Sequence, residues 1–229
     1  AANARVSAKL ADFGNVALSG RTSSIGFGSI DQSPTERQQE RMYAYDLQTN
    51  FQLGKFFGDE SRLRIPFYYG IAEEWKDPMF NPLDPDIEFD DALNNLESQA
   101  EQAELKRAAQ DYTLRRGFNF TNVGMQRNPD SKKRPAIYDV ENFSAGYSFN
   151  EQFRRNINTE FDRRVDHRAN LAYNFQTKPK TVEPFKNVAL FNRSEWWSLL
   201  SDFNFNYYPS KVLVRAELMR MYQENKQRN

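Results

Sequence analysis

The stretch Glu141–Phe153, "ENFSAGYSFNEQF", alternates with a period of two. Phe143, Ala145, Tyr147 and Phe149 share one parity, and Asn142, Ser144, Gly146, Ser148 and Asn150 the other. Side chains of a β-strand point alternately to its two faces, so this segment is a strand with an aromatic face and a small, neutral polar face. Tyr43–Leu53, "YAYDLQTNFQL", repeats the pattern with Tyr43, Tyr45, Leu47, Thr49, Phe51 and Leu53 against Asp46, Gln48, Asn50 and Gln52. About ten residues of such alternation is the length a tilted strand needs to cross a bilayer. Two environments can impose it: a core facing water, or lipid facing a wet lumen.

Composition narrows the fold class. With 19 Phe and 11 Tyr in 229 residues, aromatics are too abundant for a disordered chain, although mean hydropathy is −0.83. Aromatics with little Leu or Ile favour strands over helices. No run of ~18 apolar residues offers a membrane helix, and no basic, apolar leader opens the chain. Alternation is already present at Val6, Ala8 and Leu10, which suggests a piece of something larger. Lys+Arg and Asp+Glu are both 31, so the net charge is 31 − 31 = 0 and the overall charge recommends neither nucleic acid nor an anionic membrane surface as a partner. Cysteine is absent, which removes disulfides and thiolate metal sites.

Along the chain, "RVSAKLADF" and "NVALSGRTS" read as weak strands joined near Gly14, and "RLRIPFYYGIA" as a strand bulged or unpaired at Pro66. "DPMFNPLDPDIEFDD" reads as an irregular loop leading into a single helix from Asp90 to about Gln110, capped by Asp90 or Asp91. Residues 86–111 thus form a helical insertion. Strands resume at Phe118–Thr121, Phe143–Phe149, Leu171–Phe175, Phe203–Tyr207 and Val212–Leu218. The whole predicts an all-β, antiparallel up-and-down meander of about nine to eleven strands with alternately short and long connections.

Catalytic chemistry finds little support. His167 is the one histidine and reads as a surface or lumen residue. Asp84, Asp86 and Glu88 form a weak calcium candidate that lacks the glycine and closing glutamate of a calcium loop. Gly26 and Gly28 lack the third glycine of a dinucleotide loop. No carboxylate pair stands out, so neither an enzyme nor a cofactor is expected. Trp196 and Trp197 suit an interfacial aromatic belt better than a sugar platform. The alternation itself favours a membrane barrel over a soluble β-rich module that binds carbohydrate or protein. In the barrel reading Tyr43, Tyr45, Leu47, Phe51, Phe143, Tyr147, Phe149, Phe203 and Phe205 face lipid. Gln48, Asn50, Asn142, Ser144, Ser148, Asn204 and Asn206 then face the lumen.

The ordered strings "LADFGN", "YDLQTNFQLGKFF", "IPFYYG", "NPLDPDI", "LKRAAQDYT", "FTNV", "YDVENFSAGYSFNE" and "DFNFNYYPS" resemble the SprA/Sov family. These are outer-membrane translocons of the Bacteroidetes type IX secretion system, required also for gliding motility. The resemblance runs from Leu10 to Tyr222. It departs from the family pattern at Gly124–Met125 and at Arg154–Asn156. It implies a very large single-chain barrel, of which this chain would supply about a quarter of the wall. It also implies secreted cargo, a plug protein, a shuttle barrel and outer-membrane lipid as partners, and location at the surface of a Gram-negative cell.

Overall fold

The computed structural model describes residues 1–27, 38–128, 130–133, 135–176, 181–184, 203–206 and 209–228. Eight long strands carry the fold. They are β1 Ala2–Leu10, β2 Gly14–Phe27, β3 Gln38–Gln52, β4 Pro66–Pro78, β5 Asp111–Met125, β6 Phe143–Arg155, β7 Thr159–Gln176 and β8 Lys211–Gln227. They pair in chain order, each antiparallel to the next, in one sheet that Leu63–Arg64 joins by pairing with β5. The meander is therefore as the alternation predicts. The sheet is open: β1 and β8 are its two edges, with no pairing between them among the described residues.

Register fixes both faces at once. Leu10, Gly14, Phe51, Phe67, Phe120, Tyr147, Ala169 and Leu218 stand in one row across all eight strands. Opposed residues of antiparallel strands share a face, so the aromatic parities of separate segments merge into one continuous face. Among the described residues of this sheet the register slips twice, between Thr159 and Phe161 at the start of β7 and between Phe120 and Val123 of β5, where Asn122 takes a positive φ of 51°. The bulge in β5 re-phases it against β6 without turning either aromatic set over.

Several local expectations change. Pro66 does not interrupt a strand; it begins one, where its missing N–H costs no ladder bond. Ile65 separates it from Leu63–Arg64 and accepts from the Leu53 N–H at 2.9 Å. The predicted single helix is two, α1 Phe89–Asn94 and α2 Gln99–Ala109. Asp90 and Asp91 sit inside the first turn of α1 and do not cap it; Ser98 caps α2 by accepting from the Ala100 N–H. The connections do not alternate short and long. Turns of three residues join β1 to β2 and β6 to β7 at opposite rims, and each rim also carries a long connection. "DFNFN" is no wall strand, because β7 pairs directly with β8. Phe205–Asn206 instead makes a two-residue ladder with Thr181–Val182.

Little of the sheet is buried. Among the described residues the buried apolar side chains are Met42, Phe89, Ala109 and Val165, and the one large side chain fully enclosed is Phe89 of α1. The exposed surface is 17058 Å². A packed globular protein of this mass exposes roughly 11,000 Å². Among the described residues few apolar side chains are enclosed: Phe89 and Ala109 lie in the helical insertion, and Met42 and Val165 lie on β3 and β7. That insertion is tied to the wall by Arg41–Asp90 at 2.6 Å and by Gln110 donating to Asp77 at 2.6 Å.

One glycine is decisive for the β3–β4 corner. Gly54 is buried, and a Cβ there would strike the carbonyl oxygen of Leu63, which is backbone and cannot swing away. Gly54→Ala should therefore cost about 2 kcal/mol or more. Limited proteolysis of the full protein checks this: cleavage between residues 53 and 65 should accelerate in the variant, and an unchanged rate would contradict the packing described.

Candidate functional face

The aromatic face is assembled row by row. Phe118 contacts Tyr147 and Phe149 at ring-centroid distances of 5.9 and 5.5 Å, Phe67 contacts Phe120 at 4.9 Å, and Phe143 contacts Tyr173 at 5.0 Å. These cross-strand pairs stabilise the register but leave the rings on the surface. Tyr43, Phe143 and Tyr147 are 45%, 43% and 38% exposed. Tyr45, Leu47 and Phe51 lie on the same face, each between an opposed pair of neighbours. Toward the rim of the helical insertion the face ends in a cluster in which Trp75 contacts Tyr45 at 5.7 Å and Tyr112 at 5.8 Å. Both tyrosine hydroxyls donate to Glu73, at 2.7 and 2.9 Å.

The apolar band crosses the sheet obliquely. Leu47, the midpoint of the β3 run, stands level with Val165 on β7, whereas the β7 run centres near Leu171, which is 171 − 165 = 6 residues away. Six residues are ~20 Å along a strand and four strand steps are ~19 Å across, giving an obliquity of roughly 45°. Strands of membrane barrels tilt by 35–45° to the bilayer normal. A horizontal lipid band drawn on such tilted strands would cross the register rows at that angle.

The opposite face is polar and concave. A hollow of ≈ 460 Å³ is lined by Asn3, Ser19, Asp46, Glu74 and Arg115, contributed by five adjacent strands. A second, lined by Tyr68, Gly70, Asn150, Gln152 and Asp166, continues the trough from β3 to β7. Both hollows lie on the polar side, hereafter the concave face, and the aromatic rings lie on the side opposite them, hereafter the convex face.

The predicted lumen residues divide in the structure. Gln48, Asn50, Ser144 and Ser148 lie on the concave face. Asn142 does not: it belongs to the turn before β6, where its Nδ2 donates to the carbonyls of Ala136 and Ile137. Phe203, Asn204, Phe205 and Asn206 lie off the main sheet, with Phe203 and Phe205 exposed. Trp196 and Trp197 lie outside the described residues. The neutrality read from β6 alone does not extend over the face, since Arg21, Asp46, Glu74, Arg115, Arg164 and Asp166 share it. His167 stands on the aromatic face, opposite the face of Ser144 and Ser148. It opposes Phe149, and its Nδ1 lies 2.9 Å from the Tyr147 hydroxyl. Asp84, Asp86 and Glu88 alternate along one exposed five-residue strand, with successive carboxylates ~7 Å apart at the root. No acidic or histidine cluster able to hold a metal ion occurs among the described residues.

One group escaped the sequence reading. Glu151 lies on the aromatic parity of β6 with its side chain 5% exposed, and it accepts from Arg116 Nε and Arg163 Nε, both at 2.7 Å. Its signal in the sequence is a carboxylate between Phe149 and Phe153, where the alternation calls for an apolar residue.

No helix among the described residues is long and apolar enough to cross a membrane. Residues 1–93 match the SprA_N family model, described as a motility related/secretion protein. No curated protein matches the chain.

Proposed function

We infer that this chain, a member of the SprA family of motility-related and secretion proteins through its residues 1–93, forms a stretch of transmembrane β-barrel wall in an outer-membrane channel for protein export. The observation that carries this reading is the division of the sheet into an aromatic face, on which Tyr43, Phe143 and Tyr147 are exposed, and a polar face that holds the hollows. A soluble sheet packs its apolar face against a second layer. An apolar face left exposed among the described residues suits lipid on one side and water on the other. The open edges β1 and β8 would pair with further strands of the ring, since closure removes the hazard of exposed edges.

In this reading the wall is not catalytic. Secreted proteins pass along a wide, water-filled trough, and the energy comes from other components of the secretion system. A plug protein, a shuttle barrel and secreted cargo are its partners. The concave face mixes both signs of charge, so a passing protein meets neither a uniform attraction nor a uniform repulsion.

A radical probe dissolved in the lipid phase tests the orientation on the full-length protein in vesicles, read by mass spectrometry. Phe143, Tyr147 and Phe149 should be modified, and Ser144 and Ser148, resolved from them by fragment ions, should not. Protection of the three aromatics would reject the membrane wall in favour of a soluble binding module.

A further inference from the structure

We propose that the convex face carries a clamp for the phosphate of a membrane amphiphile, formed by Arg116 and Arg163 and aimed by Glu151; this rests on the wall reading above. The geometry comes first. Glu151 binds each arginine through Nε alone, at 2.7 Å, and is itself enclosed. A guanidinium carries five N–H donors in a rigid fork, so most of each fork remains free. The two arginine side chains are 47% and 46% exposed, and among the described residues neither has a second hydrogen-bond partner. One buried carboxylate thus holds two forks side by side with their outer ends toward solvent, which is the pre-organisation that bidentate phosphate recognition requires.

Charge gives the ligand its sign. In the surrounding rows of the same face stand Arg116, Arg155, Arg163, Arg220 and Lys226 against Glu73, Glu151 and Glu224; Lys226 is paired with Glu160 at 2.7 Å, and the rest leave a balance of 4 − 3 = +1. The other two acids are engaged locally, Glu73 by Tyr45 and Tyr112 and Glu224 by Tyr222. One positive charge beside an apolar band needs an anion from outside the protein.

Position selects the amphiphile. In the next row lie Phe118 and Phe149, stacked at 5.5 Å, and Val165 is buried beside Glu151. A phosphate on the arginines would have its acyl chains laid along Phe118, Phe149 and Tyr147. Inorganic phosphate would gain the arginines and lose the aromatic surface.

The test uses full-length protein in a neutral detergent, titrated with dihexanoyl phosphatidic acid, dihexanoylglycerol and inorganic phosphate. Phosphatidic acid should bind, and the other two far more weakly. Arg116→Gln with Arg163→Gln should weaken phosphatidic acid about tenfold or more, as expected for lost charge-assisted hydrogen bonds. Arg116→Lys with Arg163→Lys keeps the charge and loses the fork; its heat-resistant mobility on gels reports an intact barrel, and it should also bind more weakly. Unchanged binding in the lysine variant overturns the clamp, as does inorganic phosphate binding as tightly as phosphatidic acid. Failure here with Phe149 still labelled from the lipid phase rejects the clamp alone. Loss of that labelling rejects the wall.

Discussion

Leu47→Arg in the full-length protein should cost about 2–4 kcal/mol of stability in lipid vesicles, whereas Gln48→Arg, one residue on, should cost close to nothing. Leu47 sits between Leu18 and Ile71 at the middle of the oblique band. An arginine there must carry its charge into hydrocarbon or distort the strand to reach water. Gln48 is exposed on the concave face opposite Ala17 and Gly70, where an added arginine meets water and small neighbours. Urea unfolding of the reconstituted protein gives both numbers. Equal costs would remove the assignment of faces, and a larger cost at Gln48 would invert it.

The second large effect concerns these 229 residues on their own. Expressed without the rest of a barrel, they should be recovered only from aggregates or detergent. Both edges, β1 and β8, present unpaired backbone groups to other chains. The convex face adds exposed Tyr43, Phe143, Tyr147, Leu171, Val214 and Leu218. Contiguous apolar surface on that scale is incompatible with a dilute monomer in water. Sedimentation in buffer and in detergent decides the matter: a monodisperse, detergent-free monomer would contradict the wall reading outright.

The two expectations draw on different levels of the molecule. That Leu47 and Gln48 face opposite ways was legible from alternation alone, because strand geometry makes neighbouring side chains diverge wherever the strand is placed. Where alternation misled, it met competition that it cannot register. "DFNFN" alternates as cleanly as "FSAGYSF", yet β7 and β8 pair directly and leave it outside the wall. Asn142 has the parity of Ser144, but its amide satisfies two turn carbonyls before the strand begins. The acid-rich run before the helices suggested one cap and one helix. Ser98 provides the side-chain cap, and a break at Asn95–Ser98 makes two helices of one predicted span.

What the chain's letters determined is the two-faced strand, repeated, with aromatics on one side. That is a property of neighbours along the backbone, and it was enough to predict an antiparallel meander. What only the folded sheet decided are relations between strands. The row that joins Leu10 to Leu218, the oblique path of the apolar band and the meeting of Glu151 with Arg116 and Arg163 depend on register. Turn lengths and the bulge at Phe120/Val123 set that register from far along the chain.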